Sequence, residues 1–504
     1  ESLPNSLPRV AGILTSVVQT PLSHVNLRAI QNNIPNAFIR DPLENDTIAD
    51  LLDEYIYYKV EPDRYVIRKA TLEEVNNWFS DLRPKEEQTP PLNLDYTSIL
   101  PLEQIDFTMH DGFGAKCTNV ATMLTFGFPD NTIPNGFGIP FYYYQEFMKY
   151  NNFFQEVEEM IKSEVFLSDR KERKDILKKF RKKIEDAEMP TWMMDELATA
   201  HATFPEGTSL RCRSSSNNED LPGFNGAGLY SSKTQRPDEG HLSKSVKEVF
   251  ASLWNLRAFE ERDFHRVNHF SSSMGVLCHP NYSDEKANGV GVSSDPIHQT
   301  SNTFYLNTQI GEDLITNPNS HSIPEELLLD IVHTDGKGYI VVEHSNLIAS
   351  DSIIMSDQHL AQMREYLSVI HNEFQLLYDA VGNNSFAMDI EYKITSEDQL
   401  IIKQARPWVS FVPQKDTIIV SKKITIDLYP NPSSEYLTVL CENCELAKFK
   451  ITNLVGQQCL EETTPISRNS LKKIRIKELP RGIYIFNAFD SDNSLFYSEK
   501  FMKN

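Results

Sequence analysis

The chain has 504 residues, 40% of them hydrophobic, and a formal net charge of −22. That length suggests three or four domains with ample apolar content for separate cores, and the acidity argues against a nucleic-acid backbone as the main partner, because phosphate-backbone binding needs clustered Lys and Arg. No apolar run approaches the ~20 residues needed to span a bilayer, so no transmembrane segment is expected.

Residue 1 is Glu and no signal peptide opens the chain, so an N-terminus processed or lost upstream is expected. Residues 1–82 alternate short apolar strands (VAGILTSVV, YIYYKV, YVIRKA) with helical stretches at QTPLSHVNLRAI and TIADLLDEY, the pattern of a small α/β domain. His24 follows Thr20, Pro21 and Ser23. Ser23 suits a helix cap, and Val25, Leu27, Ala29 and Ile30 supply an apolar face. His24 would then sit in the first turn, where free backbone N–H groups and the helix dipole favour negative charge. That place suits an imidazole carrying a phosphoryl group; the plainer alternative is a capped surface helix with an incidental histidine. Residues 83–104, RPKEEQTPPLNLDYTSILPLEQ, are rich in proline and charge and predict a linker.

Residues 105–412 mix helical segments (EVEEMIKSEVF, KDILKKFRKKIEDAE) with strands clustered late, an α+β pattern. Three stretches there suit a nucleotide triphosphate. In DGFGAKCTNVATML, Gly112 and Gly114 allow close backbone approach and Lys116 stands beside a helix start as a point charge for phosphate. A capped helix with a surface lysine is the alternative, since this is not a Walker A loop. In SLRCRSSSNNEDLPGFNGAGLYSS, Arg213 follows a short strand and can fork onto phosphate oxygens. Glu219 and Asp220 follow it. The glycine-rich loop from Gly223 through Gly226 to Gly228 can fold over a phosphate chain with its N–H groups inward; the plainer alternative is a polar surface loop with a tight turn. In MDIEYKI…QLIIKQARP, alternation puts Asp389 and Glu391 on one face and Gln404 and Arg406 on one face. Glu391 and Gln404 could then offer a carboxylate and an amide oxygen to Mg²⁺, which prefers oxygen ligands and bridges to phosphates; for this hairpin taken alone, a hairpin with a polar face is the favoured alternative.

Residues 418–504 are short strands divided by turns, a small β-sandwich signature. Six cysteines are scattered through the chain, and only Cys441 and Cys444 are closely spaced. With no second pair and no nearby histidine they make a poor zinc site and at best a local disulfide.

GAKCTNV, CRSSSNNEDLPGFNGAG and DIEY…KQARP, in this order, resemble the signatures of the nucleotide-binding domain of the PEP synthase and pyruvate phosphate dikinase family. QTPLSHVNLRAIQNNIPN is similar to that family's swivelling phosphohistidine domain. The resemblance implies an ATP-grasp fold over 105–412, ATP and Mg²⁺ as cofactors, and a nucleotide-contacting set of Lys116, Arg213, Glu219, Asp220, Gly226, Gly228 and Arg406. It further implies Glu391 and Gln404 as metal ligands and His24 as phosphoryl acceptor, with AMP and orthophosphate released. The histidine domain comes first and no PEP-binding barrel follows, an order more like the glucan, water dikinases. Some positions depart from the family pattern: His279 stands where relatives often carry glutamine, QIGE replaces a GLGE-like loop, and GVGVSSDP lacks a basic residue. DLYPNPSSEYLTV, ITNLVGQQ and LPRGIYIFNAF resemble the type A sorting domain of the type IX secretion system, which implies a secreted or cell-surface protein that engages that machinery. Two functions follow: a dikinase-type phosphotransferase with an unidentified acceptor, pyruvate or glycan-like, or an exported ligand-binding module without turnover.

Overall fold

The computed structural model describes residues 10–16, 29, 34–61, 64–219, 221, 224, 226, 228–298, 300, 302–312, 322–331, 337–349, 352–408, 425–429, 433–442, 447–453, 457–463, 470–489 and 495–503. Helices and several separate sheets make it a multidomain α+β protein. It divides into two compact units, Glu1–Pro413 and Gln414–Asn504.

At the N-terminus β1 (Ile13–Thr15) pairs parallel with β2 (Asn36–Phe38), and β3 (Ile56–Val60) forms a hairpin with β4 (Tyr65–Lys69). The helix expected at TIADLLDEY is only one turn, Asp46–Ala49, capped by Asn45. It ends in turns that carry Asp53 into left-handed backbone. Helix α1 (Leu72–Leu82) begins in a capping box in which Thr71 and Glu74 satisfy each other's backbone N–H groups. His24 lies outside the described residues.

The stretch 83–104, expected as a linker, is held along its length. Gln88 exchanges backbone hydrogen bonds with Arg266 (2.9 Å) and Asn268 (2.9 Å). The Asn93 N–H donates to the Asp111 carbonyl at 2.8 Å, and Tyr96 packs on Phe113 with ring centroids 5.5 Å apart. Proline and charge mark non-helical backbone, but they do not reveal that Leu100–Pro101 adds a strand to the following sheet.

That sheet contains β5 (Leu100–Pro101), β6 (Phe137–Ile139), β7 (Leu210–Ser216), β8 (Lys233–Gln235) and β9 (Met274–Pro280), in the order β5-β6-β9-β7-β8. A larger antiparallel sheet contains β10 (Ala287–Val292), β11 (Thr303–Ile310), β12 (Glu325–Asp330), β13 (Tyr339–Glu343), β14 (Met388–Ile394) and β15 (Leu400–Pro407), in the order β13-β12-β11-β10-β14-β15. Period-two alternation decides which residues enter which core. Leu210, Cys212, Val276 and Cys278 pack with Phe147, Phe250 and Trp254, whereas Ile390, Tyr392 and Ile402 pack with Leu360, Leu367 and Phe374. The alternate positions Arg211, Arg213, Asp389 and Glu391 are thereby turned away from those cores.

Helix α2 (Ala115–Met123) ties the two sheets together. Its Cys117 N–H donates to Ser215 Oγ of β7 at 3.1 Å, and Asn119 Nδ2 donates to the Ala405 carbonyl of β15 at 3.1 Å. The helix starts at Gly114, whose φ is +80°; a Cβ there would lie 2.4 Å from Ser215 Oγ and 2.7 Å from the Ser215 carbonyl oxygen. Gly114→Ala is therefore expected to destabilise the first unit by about 2–3 kcal/mol, read as a lower urea midpoint; an unchanged midpoint would show that α2 tolerates a shift off β7.

In the second unit β16 (Thr425–Tyr429), β17 (Tyr436–Glu442) and β20 (Ser470–Arg475) form one antiparallel sheet. β18 (Lys448–Asn453), β19 (Gln458–Glu462), β21 (Gly482–Phe489) and β22 (Leu495–Lys503) form another. Alternate residues Leu437, Val439, Phe449, Ile451, Phe486 and Ala488 bury into one shared core. Cys444 lies outside the described residues.

Candidate functional site

The site is built where β7 of the smaller sheet meets β14 and β15 of the larger. The antiparallel register sets Asp389 opposite Arg406 and Glu391 opposite Gln404. A break in register after Glu391 leaves Lys403 as an extra residue in β15, which lets Lys403 as well as Gln404 reach the Glu391 side. Arg213 of β7 closes the group: its Nη2 donates to Glu391 Oε2 at 2.8 Å and to Gln404 Oε1 at 2.5 Å. Lys403 Nζ stands 3.3 Å from the same Glu391 oxygen.

Two further ion pairs adjoin. Arg406 Nε contacts both Asp389 oxygens, at 3.0 and 2.9 Å, and its Nη2 lies 2.9 Å from Oδ2. Lys116 Nζ of α2 lies 2.7 Å from Glu219 Oε2. The charge of Lys116 acts on Asp389 and that of Glu219 on Arg406, so the pairs form one continuous cluster. Gly226 packs directly on Glu219: a Cβ at that glycine would come within 2.2 Å of Glu219 Cγ. Gly228 is exposed with φ +65°. Asp220 and Gly223 lie outside the described residues.

Of the residues predicted from sequence, the structure brings Arg213, Glu391 and Gln404 into direct contact and places Lys116, Glu219 and Arg406 beside them. Lys403 and Asn218 were missed, and His279 was noted only as a departure from the family pattern. Lys403 was hidden because strict alternation places it opposite Gln404, and only the bulge turns it inward. Asn218 is buried, accepting from Ser216 Oγ (2.8 Å) and Tyr230 Oη (2.7 Å). Its neighbour Asn217 donates to the carbonyls of Pro91 (2.9 Å) and Ser271 (2.8 Å). Together the two asparagines hold the backbone that presents Glu219; the NN dipeptide ahead of ED was the available signal.

The electrostatics follow from this crowding. Burial alone would raise the Glu391 pKa, but Arg213 and Lys403 outweigh it and hold the carboxyl well below the usual carboxylate range. Burial pushes Lys403 down to about 8, with Glu391 opposing. His279 lies directly across from Arg211 in the β7–β9 register. Burial, then the charge of Arg213, lowers its pKa to about 3, so the ring is neutral. Its Nδ1–H donates to the Pro280 carbonyl at 2.8 Å, which leaves Nε2 as a buried lone pair with no partner among the described residues.

Several cations around a carboxylate and an amide oxygen suit a polyphosphate that carries its own hard cation. Among the described residues no group of three or more His, Cys, Asp or Glu side chains could hold a metal ion alone. Glu391 Oε2 and Gln404 Oε1 nonetheless already share one positively charged group, the Arg213 guanidinium. Two oxygen donors with the remaining ligands supplied by phosphate and water is the donor set Mg²⁺ accepts.

Comparison with known proteins bears on this cluster. The sequence pattern "Pyruvate phosphate dikinase, AMP/ATP-binding domain" matches residues 110–423, and "Secretion system C-terminal sorting domain" matches residues 427–504. A "Probable phosphoenolpyruvate synthase" of Methanocaldococcus jannaschii is 25% identical over 210 residues, covering 40% of this chain and 17% of that protein. The phosphoenolpyruvate synthase of Aeropyrum pernix is 24% identical over 204 residues, 40% of this chain and 24% of that protein. The chain thus spans less than a quarter of the length of these curated relatives. Among solved structures, PorZ, a surface component of the type IX secretion system of Porphyromonas gingivalis, aligns at 13% identity over 23% of this chain and 15% of that one, with a TM-score of 0.13. No helix among the described residues is long and apolar enough to cross a membrane.

Proposed function

The chain belongs to the family of the pyruvate phosphate dikinase AMP/ATP-binding domain, and from that premise we propose that it is an ATP-dependent phosphotransferase of dikinase type, exported to the cell surface or beyond by its C-terminal unit. The two sheets joined by α2 are read as an ATP-grasp arrangement with the nucleotide between them, and the second unit as a β-sandwich sorting domain that engages type IX machinery. The observation that carries the reading is the contact of Arg213 with both Glu391 and Gln404, which collects motifs 178 and 191 residues apart at one point.

The acids of the cluster pair with its cations, Lys116 with Glu219, Arg406 with Asp389, and both Arg213 and Lys403 with Glu391. On binding, Arg213 and Lys116 exchange carboxylate partners for phosphate oxygens, and Glu391 and Gln404 are released to a cation. Glu391 and Gln404 would hold Mg²⁺, which would supply charge neutralisation to the phosphates. Asp389 keeps Arg406 aimed along the strand face, and the asparagine-anchored segment holds Glu219 and its glycine loop over the phosphate chain. His24 attacks the β-phosphorus in line, forming the N–P bond as the P–O bond to AMP breaks; water then cleaves the γ-phosphoryl group from the β-phosphoryl group as orthophosphate, and the β-phosphoryl group left on His24 later passes to an acceptor of pyruvate or glycan type. Since 83–104 is bound down, with Arg83 Nη2 donating to the Asp263 carbonyl at 3.1 Å and the Lys85 carbonyl accepting from Arg266 at 2.8 Å, the pivot for a swinging histidine domain would fall before Arg83.

The test uses β- and γ-labelled ATP. Retention of β-label on the wild-type chain with release of AMP, and its loss in His24→Ala, is the expected result. Nucleotide binding without label or AMP in the wild type would leave instead a binding module without turnover.

A pH signature follows from Lys403. Its charge is lost as pH rises through about 8, so ATP affinity is expected to fall about 10-fold between about pH 7 and pH 9, a change that Lys403→Met should flatten in calorimetric titrations. The sign for stability is opposite. Between about 8 and the ordinary lysine value near ~10.4, the unfolded chain binds more protons than the folded one, so this group's contribution to stability rises with pH.

A further inference from the structure

Two thiols that take no part in nucleotide chemistry face each other inside the first unit. Cys212 of β7 and Cys278 of β9 are directly opposed in the antiparallel register, their Sγ atoms are 3.7 Å apart, and both residues are fully buried. They lie on the core face of the sheet, among Phe147, Phe250 and Trp254, behind the face that carries Arg211, Arg213 and His279. A disulfide needs sulfurs about 2.05 Å apart, so closure asks for an approach of about 1.7 Å, within reach of side-chain rotation on strands already paired. Cys117, the other buried thiol, packs in a different core with Phe113 and Val120.

We propose that Cys212 and Cys278 are joined by a disulfide in the exported protein, bracing β7 from behind at the strand that presents Arg213. This rests on the export reading of the C-terminal unit and not on the phosphotransfer, because thiols persist in a reducing cytoplasm and are oxidised outside it. In the step, the two thiols release two protons and two electrons and one S–S bond forms. The disulfide of an envelope thiol–disulfide oxidoreductase takes up the electrons and becomes a dithiol. Oxidation precedes closure of the sheet, since in the folded unit both sulfurs are inaccessible and burial suppresses the Cys278 thiolate.

The experiment compares the full chain recovered after export with the same chain made in a reducing cytoplasm, both carrying Cys441→Ser and Cys444→Ser so that four cysteines remain. Thiols are counted in denaturant without reductant. The exported chain is expected to show two, Cys117 and Cys459, with a mass lower by two hydrogens and a cross-linked peptide joining positions 212 and 278; the cytoplasmic chain shows four. Reductant should lower the exported protein's Tm by about 5 °C or more and leave a Cys212→Val/Cys278→Ala variant unmoved. Four free thiols after export, or a bond to Cys117, overturns the assignment. If the chain proves not to be exported, refolding the cytoplasmic chain in oxidised glutathione decides the matter: failure of this pair to close sinks the disulfide, whereas its closure leaves only the export reading in error.

Discussion

Arg213→Ala is expected to lower ATP-dependent AMP formation by about 10²–10³-fold, while the fold survives. Among the described residues Arg213 is the one side chain that touches both proposed metal ligands, so its loss removes the phosphate fork and the group that holds Glu391 and Gln404 together. Removing one partner of a fully buried pair costs about 3–5 kcal/mol. Here the cost should be nearer 1–2 kcal/mol, because Glu391 is partly exposed and keeps Lys403 at 3.3 Å. Urea unfolding separates this modest loss from the large kinetic one. Arg213→Lys restores charge without the planar fork and should recover only part of the rate. Wild-type turnover in Arg213→Ala would mean that the cluster is structural.

Glu391→Gln should cost at least ~10²-fold in metal-dependent turnover through a different route. The amide preserves shape and still accepts from Arg213, so the fold and the cationic pocket remain. What disappears is the negative charge that Arg213 and Lys403 keep ionised far below neutral pH. ATP affinity measured in a chelator should hold or rise, since the pocket becomes more cationic, while the gain in affinity on adding Mg²⁺ should collapse. Titration calorimetry with and without Mg²⁺ reads both. An undiminished Mg²⁺ effect in this variant would move the cation elsewhere.

Much of the site was legible because it uses short-range rules. The alternation that sets Asp389 and Glu391 on one face, and Gln404 with Arg406 on another strand's matching face, needs only the period of a β-strand. The SNNED stretch announced a polar turn, but not that both asparagines are buried fasteners for it. The segment 83–104 misled for a related reason. Proline-rich composition reports backbone that is not helical, and says nothing about whether that backbone is bound to a neighbour, as Gln88 is to Arg266 and Asn268. Lys403 escaped because a single extra residue inverts parity, and a bulge leaves no mark in hydrophobic pattern.

Residue type, spacing and order along the chain by themselves determined the α+β organisation, the family and the candidate charges at Lys116, Arg213, Glu391 and Gln404, since each is a property of a few neighbouring residues. Which charge meets which was decided only by tertiary structure. Lys116 took Glu219, Arg406 took Asp389, and Arg213 crossed to Glu391 and Gln404. Those partners are set by α2 packing against both β7 and β15 and by the register of strands far apart in sequence, and neither the packing nor the register is encoded in any local window.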